Sequence, residues 1–533
     1  MDFTTFISGK LVDVTDAGNL IVNLPRVGYQ LGATMNAECE SLPTPTSPSR
    51  AECWQMGLLL TGFFVFNLLT AARYPFVWID EVMYSDPAVN LLLGHGFTSS
   101  AWYAQASDEF WAGNVPLHST LLFLWLKLFG FSITAVRSLN FFCFAAACLL
   151  AWRTSARLGL IVTARARLTF LFLLLGGYSM IFSYRSGRPD VLAMLVVAGL
   201  FFAQSLAKHW RRGATYLALG IAAPWVGLQL LPLLGVGGLL SLLFAGRRMF
   251  PRLVAVGLGA AAGLVSLVAF YKSNGVWEQF LRSTGQHTGV GFLGLLAGGH
   301  LRHSNLLPKD FSFWPVFALA VALAIFLVTK RNFCWRSPLS FGLVYAVVLS
   351  LALVLSGKFP TYYGWMTYVP LCLCVCATLS QTELPAGVRV AGGTLLIAAV
   401  GAGLGLHAAA ALSDWSDRAY RPVESFVRQT LAHDDWVLGE HGVYYAAKPF
   451  VARLFLPYHL PAMRNEEKRR LTALVLPPAK LGETTNAIGG NWISTGARIK
   501  PRRRGLFGTD WKYGFLSMPN YELGVYRRAE PRP

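Results

Sequence analysis

Two adjacent carboxylates, Asp80 and Glu81, follow the first long apolar run of the chain, which ends near Ala72. A charged pair at the edge of a bilayer is costly to dehydrate, and carboxylates in that position usually serve ions, protons or a substrate. The surrounding segment 74–84 places aromatic residues on both sides of the two acids. This pair is therefore the first candidate for chemistry in the sequence.

The composition is that of a polytopic α-helical membrane protein. Of 533 residues, 54% are hydrophobic and 14% are charged, and the mean hydropathy is +0.46. Apolar runs of the roughly 20 residues that a spanning helix needs recur from Trp54 to about Ala411. Residues 1–53 are polar and contain no positively charged segment followed by an apolar one, so we predict a flexible cytoplasmic tail rather than a removable signal peptide.

The excess of positive charge, +19 in total, predicts orientation in the membrane rather than a nucleic-acid partner. We predict eleven spans, at 55–72, 133–152, 167–184, 189–207, 214–227, 228–245, 251–271, 311–329, 338–356, 361–380 and 386–411. With the amino terminus inside, the basic loops near residues 153–167, 208–212, 247–252 and 330–336 are all cytoplasmic, provided that 116–130 does not cross.

The segment 116–130 is short for a span, so we predict an interfacial helix there. A real crossing that is compensated elsewhere, or an amino terminus outside, stays open. The module 54–412 then exposes a first external loop at 73–133. Beyond it, residues 413–533 contain apolar runs of strand length at 435–440, 471–476 and 521–526, and an amphipathic helix at 421–432, which predict a small extracytoplasmic α/β domain.

Two further motifs fall on the same predicted face as the acid pair. The turn 184–190 carries Arg185 and Arg188 before Pro189 and Asp190. Proline and aspartate suit a helix start, which is a sufficient structural explanation for them, whereas guanidinium groups hold phosphate bidentately. Lys358 precedes Tyr362 and Tyr363 at a later turn, where the structural alternative is an interfacial lysine beside a tyrosine belt.

The order of these motifs, with the runs 90–97 and 114–130 and then Arg137, resembles the GT-C superfamily of glycosyltransferases. The likeness covers about residues 55–380. It is greatest to the branch of protein O-mannosyltransferases and of the aminoarabinose transferases that modify lipid A. In that branch an Asp-Glu pair in the first external loop is catalytic, and a Lys-x-x-x-Tyr motif contacts donor phosphate. His118 departs from the aromatic residue usual at its position.

The resemblance implies an inverting transfer of a sugar from a polyprenyl-phosphate donor to an acceptor glycan, lipid or protein. On this interpretation Asp80 is the base, Glu81 orients Asp80 or the acceptor, and Asp190 holds the donor sugar or assists the base. The donor phosphate would be bound by Arg185, Arg188, Lys358, Tyr362 and Tyr363. Candidate contacts to the acceptor are Tyr84, His118, Asp108 and Glu109.

Several questions stay open at this point. The superfamily includes metal-dependent and metal-independent members, and His300-x-x-His303 has a spacing that could ligate a divalent metal. The sugar and the acceptor are not specified. A bacterial inner membrane with a periplasmic site is the predicted location. The rival class is an ion- or proton-coupled transporter of a glycan or lipid, although transporters usually place ionisable residues in the middle of a span.

The topology generates a labelling prediction. In a background without native cysteines, Asp80→Cys and Asp190→Cys should react with an impermeant thiol reagent from one side of the membrane. Cysteines placed in the basic loops at 208–212 and 247–252 should react from the other side. Labelling of positions 80 and 190 from opposite sides would overturn the eleven-span topology.

Overall fold

The structure, a computed structural model, describes residues 47–103, 105–287, 310–355, 361–413, 415–500 and 521–529. Most of the predicted cytoplasmic tail lies outside the described residues. So do His300, His303 and Lys358, together with the basic run that follows Lys500.

Up to residue 413 the described chain is built of helices, most of them apolar. Their bounds are α1 Arg50–Thr70, α2 Ile79–Leu92, α3 Leu117–Phe129, α4 Ile133–Arg157, α5 Ala164–Gly176, α6 Tyr178–Arg185, α7 Asp190–Gln204, α8 His209–Val226, α9 Leu230–Ala245, α10 Phe250–Ser273, α11 Trp277–His287, α12 Phe313–Thr329, α13 Pro338–Leu355, α14 Trp365–Gln381, α15 Ala386–Val400 and α16 Leu406–Leu412. A π-helical segment, Gly401–Gly405, joins the last two.

These helices make the chain a polytopic membrane protein. Four helical runs among the described residues are long and apolar enough to cross a bilayer: Arg50–Thr70, Ile133–Arg157, Leu230–Ser273 and Ala386–Leu412. The bent pair α5–α6 would make a fifth, and shorter apolar helices of 10–17 residues accompany them. The count of eleven spans stays a prediction, because composition and length alone do not establish which shorter helices cross.

One predicted span, 167–184, is a broken helix in the structure. Helix α5 ends at Gly176, α6 begins at Tyr178, and the two axes differ by 54°. The break lies where α14 approaches closely, because a Cβ atom on Gly177 would come within 2.5 Å of the Tyr368 ring. The bend directs the end of α6, and the turn that follows it, towards the start of α2.

The predicted external loop 73–133 contains two helices. Helix α2 begins just before the acid pair, and α3 has 13 residues, about 20 Å at 1.5 Å per residue, which is shorter than the hydrocarbon core of a bilayer. The interfacial placement of 116–130 stays a prediction that this length favours.

The carboxyl-terminal region contains a mixed five-stranded sheet with the order β2-β1-β3-β5-β4. Its strands are β1 Trp436–Gly439, β2 Arg453–Phe455, β3 Ala473–Leu476, β4 Trp492–Ile499 and β5 Leu523–Arg528. Strand β1 is parallel to β2 and β3, and β5 is antiparallel to β3 and β4. The helices of this region are α17 Arg421–Thr430, α18 Tyr444–Ala447, α19 Asn465–Arg470 and α20 Leu481–Ile488.

The three predicted strands and the predicted helix are present in this sheet region, whereas β2 and β4 were not predicted. Strand β2 is only three residues long, too short to show alternation. Strand β4 is mostly exposed on both faces, so its sequence lacks the alternation that marks a strand with one buried face. The boundary at 413 and the extracytoplasmic side stay predictions.

A buried carboxylate, Asp86 of α2, is at the centre of one set of contacts by which the sheet region packs on the first external loop. Its oxygens accept hydrogen bonds from Ser99, from the Ser100 amide and from Tyr444, each at 2.8 Å. The Lys448 ammonium lies 2.7 Å away. Burial alone would raise the pKa of Asp86, but Lys448 and these hydrogen bonds outweigh it and hold the pKa below its usual value. Asp86 is therefore ionised where it joins the two regions.

We expect Asp86→Asn to destabilise this junction. It leaves Lys448, with a side chain 6% exposed, without its counter-charge, and breaking a buried ion pair typically costs about 3–5 kcal/mol. Because the pKa is lowered in the folded protein, the wild-type contribution should be present above the ordinary pKa of about 4 and be lost as the pH falls below it.

A thermal melt in detergent, with protease sensitivity of the junction as a second readout, measures the effect. The matched control is Asp108→Asn. Asp108 pairs with Arg464 at 2.8 Å, but both side chains are more than half exposed, so little change is expected. Equal melting temperatures for the two variants would contradict the role assigned to Asp86.

Candidate active site

The acid pair occupies the first turn of α2. Trp78 precedes the helix, and Asp80 and Glu81 follow at once, where the positive end of the helix dipole favours carboxylates. The Trp78 indole donates a hydrogen bond of 2.9 Å to the Ser186 carbonyl. The start of α2 is thereby fastened to the turn between α6 and α7.

Glu81 is fully buried and bound to Arg137 of α4. The guanidinium donates through Nε and Nη2 to the two carboxylate oxygens at 2.7 and 2.6 Å, and the Tyr445 hydroxyl donates at 2.9 Å. Arg137 also donates to the carbonyls of Ala71 and Pro75. Both oxygens of Glu81 are engaged, which favours the predicted role in orienting Asp80 over direct contact with an acceptor.

Asp80 belongs to a second charge cluster, formed with Arg188 and Asp190. Arg188 donates from Nη1 to Asp80 Oδ2 and from Nε to Asp190 Oδ2 at 2.8 Å. The Asp80 side chain is 27% exposed, whereas those of Asp190 and Arg188 are 0% and 6% exposed. Only Asp80 of these acids can therefore meet a substrate without rearrangement.

The charge of Arg188 is also covered by aromatic rings. Its guanidinium carbon lies 3.6 Å from the ring centre of Tyr362 and 5.2 Å from that of Tyr84, within range of cation–π attraction. Tyr363 packs edge-on against Tyr362, with centroids 4.9 Å apart. Burial raises the pKa of the Tyr84 phenol well above its usual value, so this hydroxyl stays protonated, and it accepts a hydrogen bond of 3.1 Å from Asn114.

Three polar atoms around this cluster are buried without a hydrogen-bond partner among the described residues: Asp190 Oδ1, His118 Nδ1 and Asn140 Oδ1. Asn140 lies beside the imidazole of His118 and donates to the Arg188 carbonyl at 2.9 Å. Buried polar atoms are normally paired, and exceptions mark strain, unseen water or function. All three atoms are buried, so a ligand can reach them only if the cluster opens.

The structure does not bring every predicted site residue to this cluster. Arg185 is buried, and it donates to Asn67 Oδ1 at 2.6 Å, to Thr70 Oγ1 at 2.7 Å and to the Tyr74 carbonyl. These contacts join α6 to the end of α1, which is a positioning role. A phosphate contact by Arg185 would require them to break.

Asp108 and Glu109 are also held elsewhere. Arg464 of α19 donates two hydrogen bonds to Asp108, at 2.9 and 2.8 Å. Glu109 accepts one from the Ala106 amide at 3.2 Å. Both residues lie where the first loop meets the sheet region, so the geometry offers no support for the predicted acceptor contact. Lys358 lies outside the described residues, a few positions before Tyr362.

Sequence reasoning assigned no role to Asn140, Tyr445, Asp86 or Lys448. An asparagine in an otherwise apolar helix was the available signal for Asn140. The other three come together only through packing between distant segments, so no local pattern marks them. Among the described residues, no group of three or more His, Cys, Asp or Glu side chains could hold a metal ion.

No protein-family profile and no curated protein matches the chain. Similar solved structures exist. That of ArnT from Cupriavidus metallidurans in the apo state has a TM-score of 0.57 and 14% identity, covering 90% of this chain and 98% of that one. ArnT bound to undecaprenyl phosphate has a TM-score of 0.58 and 13% identity, covering 89% and 98%. At this identity the likeness establishes the fold, which is GT-C-like.

The turn that presents Arg188 depends on Gly187. Its φ is +66°, and a Cβ atom there would lie 2.6 Å from Glu81 Cγ. We expect Gly187→Ala to lower the melting temperature, because a non-glycine residue in this conformation costs about 1–2 kcal/mol and the clash displaces Glu81. In the control Gly57→Ala, a Cβ atom within α1 would meet nothing within 4 Å. An equal response of both variants would contradict this packing.

Proposed function

We propose that the protein is an inverting glycosyltransferase that moves a sugar from a polyprenyl-phosphate donor to an acceptor hydroxyl or phosphate at the external face of the membrane. The observation that carries the proposal is the cluster in which Arg188 lies between a partly exposed acid, Asp80, and a buried one, Asp190. The GT-C-like fold supports it, and the similar ArnT was crystallised with undecaprenyl phosphate.

The geometry suits Asp80 as the general base. The acceptor oxygen would attack the anomeric carbon, and the bond to the phosphate oxygen would break with its electron pair going to the phosphate. Asp80 would receive the hydroxyl proton. A base must reach that proton directly or through one water, and Asp80 is the member of the pair with exposed surface, since Glu81 is fully buried. An acceptor phosphate would need no such base.

Arg188 would stabilise the leaving phosphate. Asp190 and Tyr362 already hold the guanidinium in a fixed orientation, and fixed groups of this kind stabilise developing charge most effectively. Protonation of Asp80 would weaken its pair with Arg188 at the moment when the phosphate departs. Arg188 would thus exchange its ion pair with Asp80 for an ion pair with the phosphate. Lys358 stays a predicted second contact to the phosphate, and Tyr362 and Tyr363 follow it in the sequence.

The remaining unpaired atoms would bind sugar hydroxyls. Asp190 Oδ1, His118 Nδ1 and Asn140 Oδ1 surround the cluster, and a buried carboxylate oxygen accepts strongly from a hydroxyl. Opening of the cluster would expose Asp190, whose side chain is 0% exposed, and its unpaired Oδ1 would then hold the donor sugar while Oδ2 stays bound to Arg188.

The proposal is tested with protein in liposomes that contain undecaprenyl-phosphate sugars labelled in the sugar. Acceptors of three kinds are supplied: a lipid, a glycan and a serine-containing peptide. Label that moves from the carrier to an acceptor supports the transferase. Label that moves only between compartments would instead establish the rival transporter. Among the described residues, only the ionisable cluster favours a transporter.

For a hydroxyl acceptor, Asp80→Asn should reduce turnover by about 10²–10⁴-fold, the usual effect of losing a general base, while carrier binding is retained. Asp108→Asn removes one carboxylate from the same external loop and should keep normal turnover. Near-normal turnover of Asp80→Asn would reject Asp80 as the base. Equal loss in both variants would show that the loop as a whole is required.

A further inference from the structure

A cavity of about 160 Å³ lies among the apolar helices, with walls from α4–α10, α13 and α14. Most of its lining is aliphatic or aromatic, as at Phe144, Leu174, Val197 and Leu233. An apolar protein cavity of about 150 Å³ stays dry and takes up benzene. This space therefore suits a hydrocarbon segment of that size, not a whole lipid.

One end of the cavity is different, because Gln204, Tyr216 and Arg252 also line it. Gln204 ends α7, Arg252 lies in the first turn of α10, and Tyr216 lies near the start of α8. Helix α7 rises about 1.5 Å per residue, so Gln204 is about 21 Å along the helix from Asp190. This polar end is distinct from the candidate active site.

Gln204 and Tyr216 have unused hydrogen-bonding capacity at this end. Gln204 is 4% exposed and Tyr216 is 2% exposed. Both amide atoms of Gln204 and the Tyr216 hydroxyl have no hydrogen-bond partner in the part of the chain that the structure describes. An amide, a phenol and the guanidinium of Arg252 together offer a set of donors, and a phosphate oxygen is a strong acceptor for such a set.

The surface outside this end is basic. Exposed Arg211 lies in the first turn of α8, and exposed Arg247 and Arg248 lie in the turn before α10. Basic residues beside membrane helices attract anionic lipid headgroups. The basic surface, the polar end and the apolar walls thus follow one another in the same order as the headgroup, the phosphate and the acyl chain of a phospholipid.

We propose that the polar end of this cavity binds the phosphate of an anionic phospholipid, with part of an acyl chain in the apolar space. Arg252 and the Tyr216 hydroxyl donate to the phosphate, and the Gln204 amide donates to the same oxygens or to a headgroup hydroxyl. The inference rests on the lining of the cavity and does not depend on the proposed transfer reaction.

The test measures lipid retention by the purified full-length protein with native mass spectrometry, titrating phosphatidylglycerol against phosphatidylcholine. Wild type should retain phosphatidylglycerol preferentially. Arg252→Gln should weaken that binding about tenfold, as expected for the loss of one charge-assisted hydrogen bond. Arg248→Gln makes the same change of charge on an exposed residue that does not line the cavity, so only long-range attraction is lost and binding should weaken by much less than tenfold.

A second variant guards against misfolding. Gln204→Leu keeps a similar volume and replaces an unpaired amide by an apolar group, so its melting temperature without lipid should not fall, while phosphatidylglycerol binding should weaken. If Arg252→Gln and Arg248→Gln weakened phosphatidylglycerol binding equally, surface charge alone would explain the effect and the proposed site would be wrong. Equal retention of both lipids would also overturn it, as would competition by inorganic phosphate alone, which would indicate a free-anion site.

Discussion

The buried ion pair between Glu81 and Arg137 is the interaction on which the rest of the site depends. Two charges at 0% and 1% exposure are expensive to bury, and such a pair is tolerated only with good geometry and further hydrogen bonds. Arg137 meets that condition with two bonds to Glu81 and two to backbone carbonyls. It thereby joins α1, α2 and α4, and Glu81 in turn packs on the turn at Gly187. The position of Asp80 follows from this arrangement.

The neighbouring cluster has the opposite character, because its charges do not balance. Asp80 and Asp190 share one guanidinium, and Asp190 Oδ1 has no partner among the described residues. Tyr362 stacks on Arg188 and limits the access of water to it. Unused acceptors suit a substrate that brings hydroxyl groups, whereas a phosphate would have to compete with the carboxylates for Arg188. The fold that carries this cluster is similar to that of ArnT.

Residue types and local order predicted the helical class, three strands, and the grouping of Asp80, Arg188, Asp190 and Tyr362. These features depend on periodicity and on short motifs. Packing decided the rest. Arg185 carries the same charge as Arg188 three residues away, yet its hydrogen bonds to α1 hold it in a structural role. Asp86 and Lys448 are far apart in the chain, and only the docking of the sheet region on the first loop brings them together. The break at Gly177 likewise reflects the approach of Tyr368, which no local pattern records.

A structure of the protein with a bound polyprenyl-phosphate sugar analogue tests the central claim most directly. In that structure the phosphate should lie within hydrogen-bonding distance of Arg188, the sugar should contact Asp190, and Asp80 should face the side of the anomeric carbon opposite the phosphate. The Glu81–Arg137 pair should be unchanged. The contradicting result is a phosphate that is bound away from Arg188, while Arg188 is still paired with both Asp80 and Asp190 and no sugar contacts either acid.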